Sequence, residues 1–108
     1  PNLRTFGKLI KAAAKGGALG VAEAWLEELK RRGFRPTGII YLEMIDAAAK
    51  AHDLNEAERW YGEMCQLRIE PSAFTFNALI DAAAKQGEVV AAEQWSTRMV
   101  ESCFALDL

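Results

Sequence analysis

The sequence predicts an all-α fold, an α-solenoid of three stacked helix-turn-helix repeats with six helices, and three observations point to it. Written in lines of 35, the chain brings KLIKAAAK (8–15), EMIDAAAK (43–50) and ALIDAAAK (78–85) into register without an insertion. Within each line the apolar residues recur at spacings of three and four, which is the period of a helix face and not of a strand. Ala, Leu and Glu dominate, with Lys, Arg and Met also strong helix formers, whereas β-branched and aromatic residues are scattered. Neither helix of such a pair can bury its stripe alone, so the hairpins must stack.

The copies run 3–37, 38–72 and 73–107, and Pro1-Asn2 matches the end of a preceding copy, as Pro36-Thr37 and Pro71-Ser72 do, making one continuous solenoid domain. In the first copy Phe6, Leu9, Ile10 and Ala13 stripe a helix at about 4–15, and Gly16-Gly17 offers the left-handed backbone that ends it. Ala22, Trp25, Leu26 and Leu29 stripe a second helix at about 19–32, stopped by Gly33 and Pro36. Thr37 is a natural N-cap for the next hairpin, with helices at about 39–51 and 55–67. Ser72 caps the third, with helices at about 74–85 and 89–102 separated by Gln86-Gly87.

Most repeating columns have a structural explanation. Ala12, Ala13 and Ala14, with their counterparts, let helices approach closely, while Trp25, Trp60 and Trp95 fill the space between hairpins. Glu23, Glu58 and Glu93 recur once per repeat, which predicts a structural ion-pair position. His52 falls in the turn column of Gly17 and Gly87 and reads as an exposed turn residue. No nucleophile with a base, no phosphate loop and no metal cluster stands in the sequence, so no enzyme, cofactor or small-molecule substrate is expected. Cys65 and Cys103 lack CxxC spacing, and the sequence has one histidine, His52, to join them, which points neither to zinc nor to a disulfide framework. No apolar run reaches the length of a membrane span.

A net charge of −2 and a pI near 5.4 exclude a strong, indiscriminate polyanion binder, so local patches decide. Arg4, Lys8, Lys11 and Lys15 are spaced four, three and four apart and share one helical face, a candidate contact for phosphate or an acidic partner. Copy two answers that stripe with Glu43, Asp46 and Asp53. Lys15, Lys50 and Lys85 recur at the end of each first helix, where an ammonium can meet a phosphate or interact with the helix dipole.

With Thr-Phe-Asn-Ala-Leu-Ile-Asp at 75–81, a central Gly87, Met99 late in the second helix and Asp107 at the close, the third copy resembles a pentatricopeptide repeat. The second keeps Tyr41, Ile45-Asp46, Ala57, Met64 and Glu70-Pro71-Ser72; the first keeps Thr5-Phe6, Leu9-Ile10, Ala22 and Arg35-Pro36-Thr37. The tetratricopeptide family fits worse, because three uninterrupted periods of 35 exclude its period and its first-helix Trp and Gly-Tyr signature is missing. The resemblance implies that first helices line a concave groove for single-stranded RNA, one base per repeat read by two or three side chains. It assigns base reading to Gly7, Leu42 and Asn77 with Thr37, Ser72 and Asp107, and base sandwiching to Arg4, Ile39 and Phe74. Asn77 with Asp107 resembles the pair associated with pyrimidines, uracil preferred. Gly7 and Leu42 depart from the pattern, since neither has a side chain that can hydrogen-bond.

Two functions follow from the resemblance. One is a non-catalytic module that binds organellar RNA, in mitochondrion or plastid, for processing, stability or translation. The other is an architectural subunit whose repeats dock protein in a ribosome, respiratory complex or photosystem, and Gly7, Leu42 and the acidic overall charge fit it.

Overall fold

A computed structural model describes residues 2–107 of the chain; Pro1, Leu108 and the side chains from Cys103 onward lie outside the described residues. Six helices follow one another: α1 (Leu3–Lys15), α2 (Leu19–Arg31), α3 (Gly38–Lys50), α4 (Leu54–Gln66), α5 (Ala73–Lys85) and α6 (Val89–Asp107). The first helices begin one residue ahead of expectation because the cap lies immediately before them. Asn2, Thr37 and Ser72 have extended backbones, and their side-chain oxygens accept from the amides of Thr5, Ile40 and Thr75. The last helix runs past its expected end at 102. Leu106 stands where Pro36 and Pro71 break the earlier copies, so nothing in the third copy stops the helix there.

Five helices end in the same way. The residue after the C-cap turns left-handed at Gly17, Gly33, His52, Arg68 and Gly87. Its amide and the next one then bond back into the last turn, as Gly17 N does to Ala14 O and Ala18 N to Ala13 O, which satisfies carbonyls that the helix leaves open. His52 is thus the turn residue expected of it, exposed and at φ 57°.

The stack is a slab of 39 × 33 × 18 Å, two helices thick. Its inner layer is α1 on α3 on α5, brought close by alanines that include Ala13, Ala14, Ala48, Ala49, Ala82 and Ala83. Phe6, Ile10, Tyr41, Met44, Ile45 and Leu79 are fully buried in this layer. The second helices pack on their own partners, but their backbones do not approach one another. First helices close together and second helices apart curve the stack toward its first helices.

Long side chains bridge the outer gap. Lys30 Nζ donates to both oxygens of Glu63 at 2.9 Å, and Tyr41 Oη donates to Glu63 Oε2 at 2.7 Å. Glu23 forms the expected ion pair, with Arg59 at 3.2 Å. At Glu58 the expectation needs correcting: it accepts from the Trp95 indole at 2.9 Å, because Gln94 replaces Arg59 in that column and the third copy brings no cation to that carboxylate. Trp60, fully buried, has no partner for its indole N–H, since Glu23 is held by the Arg59 guanidinium that also stacks on the Trp60 ring at 4.7 Å. Arg59→Gln should therefore free Glu23 to accept from Trp60. The expected result is a downfield shift of the Trp60 indole proton in a nitrogen–proton correlation spectrum, with stability changed by less than about 1 kcal/mol. An unmoved resonance would refute the account.

Candidate nucleic-acid interface

Two grooves run between neighbouring first helices on the concave side. The one between α1 and α3, about 390 Å³, is lined by Arg4, Gly7, Lys8, Lys11, Thr37 and Ile39, with Leu3, Ile40 and Glu43. It gathers the whole set named for the first repeat: the reading residues Gly7 and Thr37, with Arg4 and Ile39 as flanks. Helical periodicity accounts for the first-helix members, and the cap accounts for Thr37, which must stand where α3 begins. The Thr37 hydroxyl is engaged by that role, accepting from Ile40 N at 3.3 Å.

The groove between α3 and α5, about 500 Å³, is lined by Leu42, Glu43, Asp46, Phe74, Asn77, Ala78 and Asp81. It brings Leu42, Asn77 and Phe74 together. Ser72 does not line it; its hydroxyl lies in a capping box with Thr75, at 3.4 Å from that amide and 3.3 Å from that hydroxyl. Ile39 lines the first groove only. The Asp107 side chain, the expected partner of Asn77, lies outside the described residues. Among the described residues the Asn77 side chain makes no hydrogen bond and is exposed, so both its donor and its acceptor are available. Ile39 and Phe74 are 72 % and 73 % exposed, large apolar surfaces held in water at the first turns of α3 and α5.

The lysine column divides. Lys50 pairs with Asp46 at 3.1 Å and Lys85 with Asp81 at 3.0 Å, each one helical turn away. Such exposed pairs contribute only about 0.3–0.5 kcal/mol, so a phosphate could take either ammonium, but the carboxylate would remain beside it and repel. Lys15 has Lys11 in the place of that aspartate and forms no ion pair among the described residues. The basic stripe foreseen in the sequence enters the α1/α3 groove through Arg4, Lys8 and Lys11; of the acidic reply, Glu43 lines both grooves, Asp46 lines the α3/α5 groove, and Asp53 is the N-cap of α4.

Sequence reasoning missed the Lys30, Glu63 and Tyr41 cluster. The combination does not repeat: Glu63 aligns with Glu28, but Lys30 aligns with Cys65 and Val100 and Tyr41 with Phe6 and Phe76, so no period signals it. A depression of about 630 Å³ beside it, lined by Lys30, Arg35, Glu63 and Arg68, lies at the loops that join the repeats. Arg35 is committed there as a cap, donating to Leu67 O at 2.6 Å. Among the described residues no three His, Cys, Asp or Glu side chains gather as a metal site, and no helix is long and apolar enough to cross a membrane.

Residues 24–86 match the pentatricopeptide repeat domain, and residues 4–34 and 74–104 each match a single repeat of that kind. The chain belongs to the pentatricopeptide repeat family. The matches cover all three copies, as the resemblance did, and the all-α solenoid is that of the family. Among solved structures, the pentatricopeptide repeat protein PPR10 from maize superposes with a TM-score of 0.86 at 29 % identity over 94 % of this chain. The crystal structure of PPR10 in complex with an 18-nt psaJ RNA element gives a TM-score of 0.84, also at 29 % identity. The chain spans 15 % of the length of PPR10. No curated protein sequence matches it.

Proposed function

We propose that this pentatricopeptide repeat chain binds single-stranded RNA along its first-helix face, without catalysis of its own, in the processing, stability or translation of organellar RNA. The observation that carries this reading is the α3/α5 groove, in which an exposed Phe74 ring stands beside the exposed Asn77 amide. An aromatic face stacks on any base, and an amide can meet the Watson–Crick edge of one. PPR10, at 29 % identity, was crystallised with an RNA element, which supports the same ligand class here. Phosphate contacts are assigned to Lys8, Lys11 and Lys15, and more weakly to Lys50 and Lys85. Mitochondrion or plastid is the proposed location by family membership.

Three repeats offer few contacts, so a dissociation constant of about micromolar or weaker is expected for U-rich single strands. A filter-binding titration at low salt measures it. Retention that falls as salt rises supports the reading, and no retention at any salt defeats it. The second reading, a scaffold within a large organellar assembly, is favoured by Leu42 and Ile39, apolar on the same face and able to bury against a partner helix. Co-purification with a stable assembly after nuclease treatment would favour that alternative.

A further inference from the structure

We propose that the α1/α3 groove holds a nucleotide by its phosphate without reading its base, so that this groove supplies binding strength and the α3/α5 groove supplies base choice. The inference rests on the RNA-binding reading above and assigns the two grooves different tasks. At the place where a base edge would be read, the first groove has Gly7, and a Cβ built there meets nothing within 4 Å. That wall is open space with no donor or acceptor of its own beyond the backbone. Opposite it, the Thr37 hydroxyl already accepts the α3 capping bond, leaving one rotatable O–H that suits an acceptor on any of the four bases. The flanks are equally undiscriminating. Ile39 is an exposed apolar surface, and the Arg4 guanidinium is planar and can stack on any base face.

What the groove lacks in edge contacts it has in charge. Arg4, Lys8 and Lys11 face a single carboxylate, Glu43, and none of the three forms an ion pair among the described residues. The α3/α5 groove is the reverse, with Glu43, Asp46 and Asp81 on its walls and its nearest lysines held by two of those carboxylates. A phosphate is attracted to the first groove and opposed in the second. A strand anchored at Lys8 and Lys11 presents its neighbouring nucleotide to Asn77 at high effective concentration, so weak but selective contacts there become useful.

The test is a fluorescence-anisotropy titration of the intact chain with end-labelled U-rich and A-rich single strands at several salt concentrations. It compares the unaltered chain with Lys8→Gln/Lys11→Gln and with Asn77→Ala, each first shown by circular dichroism to keep its helix content. All three side chains are exposed, so folding should survive. The double variant is expected to weaken both strands by the same factor, roughly tenfold, and to reduce the slope of log affinity against log salt by about 1.4, two contacts at about 0.7 each. Asn77→Ala should keep the slope and bring the U-rich to A-rich affinity ratio close to one. If the unaltered chain binds RNA but the double variant keeps its slope, or shifts the ratio between strands, the division of tasks is overturned. If the unaltered chain binds neither strand at any salt concentration, the RNA reading itself fails and this inference with it.

Discussion

Trp60→Ala should lower the thermal unfolding midpoint by roughly 15–25 °C, the largest effect expected of any single exchange in the described residues. Trp60 is fully buried on α4 in the middle repeat, roofed by Arg59 at 4.7 Å and reached by Lys30 of the preceding hairpin at 5.9 Å. Truncation of a buried tryptophan costs about 3–5 kcal/mol through lost transfer energy and the cavity that remains. In a solenoid each repeat is stabilised chiefly by its neighbours, so a void between the first and second hairpins also weakens their coupling. One offset works the other way: the unpartnered indole N–H disappears with the ring, removing a desolvation penalty of about 1 kcal/mol or more. Trp60→Phe keeps most of the volume and loses the same orphan donor, and is expected to cost far less. Trp25→Ala, at a half-buried ring, should fall between the two. Melting curves followed by circular dichroism would settle the order, and a Trp60→Ala chain that melts within 5 °C of the unaltered protein would show that the ring does not hold the hairpins together.

The fold was legible because a 35-residue period repeats every structural demand three times. An alanine triplet, a buried tryptophan and a hydroxyl cap each stand out when three copies agree, and period three to four leaves no doubt about helix. Helix starts were misplaced by one residue because the cap is read from the sequence while the first helical residue is set by geometry. The extension of α6 to Asp107 was legible in principle from Leu106, which stands in a proline column.

The interface was legible in part. Its first-helix members follow from helical spacing, and Arg4, Gly7, Thr37 and Ile39 do share a groove. Whether a given lysine is tied could be decided only once its neighbour one turn back was considered: Asp46 and Asp81 tie Lys50 and Lys85, whereas Lys15 has Lys11 in that place. That distinction was present in the sequence as a departure from the repeat. Of the bridges between second helices only the ion pair at Glu23 was; the partners at the other two, Lys30 with Glu63 and Glu58 with the Trp95 indole, were not, because the residue that reaches across each gap differs from one repeat to the next. A period reveals what copies share and hides what makes one junction different from another.

The Lys30, Glu63 and Tyr41 junction is the clearest such difference, and Glu63→Leu should destabilise the chain by about 2–3 kcal/mol. Glu63 accepts two bonds from the Lys30 ammonium and one from the Tyr41 hydroxyl. Lys30 keeps 29 % of its side-chain exposure and has Glu27 at 3.8 Å as a second partner, so it can recover much of what it loses. Tyr41 cannot, because it is fully buried and the described residues offer it no other acceptor. Tyr41→Phe in the unaltered background should cost about 1 kcal/mol, and combined with Glu63→Leu should cost less than the two changes separately, since the hydroxyl left orphaned by one is removed by the other. The same residue fixes a pH response. Burial first, and then the bond to Glu63 and its negative charge, lift the Tyr41 pKa well above the ordinary tyrosine range. The unfolded chain releases that proton near pH 10 while the folded chain retains it, so the stabilisation is complete below pH 10 and is lost as pH rises further, by up to about 1.4 kcal/mol per pH unit. Tyr61, lifted mainly by burial, adds a smaller loss in the same direction. Urea midpoints between pH 8 and pH 11 should therefore fall more steeply for the unaltered chain than for Tyr41→Phe. Parallel curves would mean that the phenol is not held protonated at this junction.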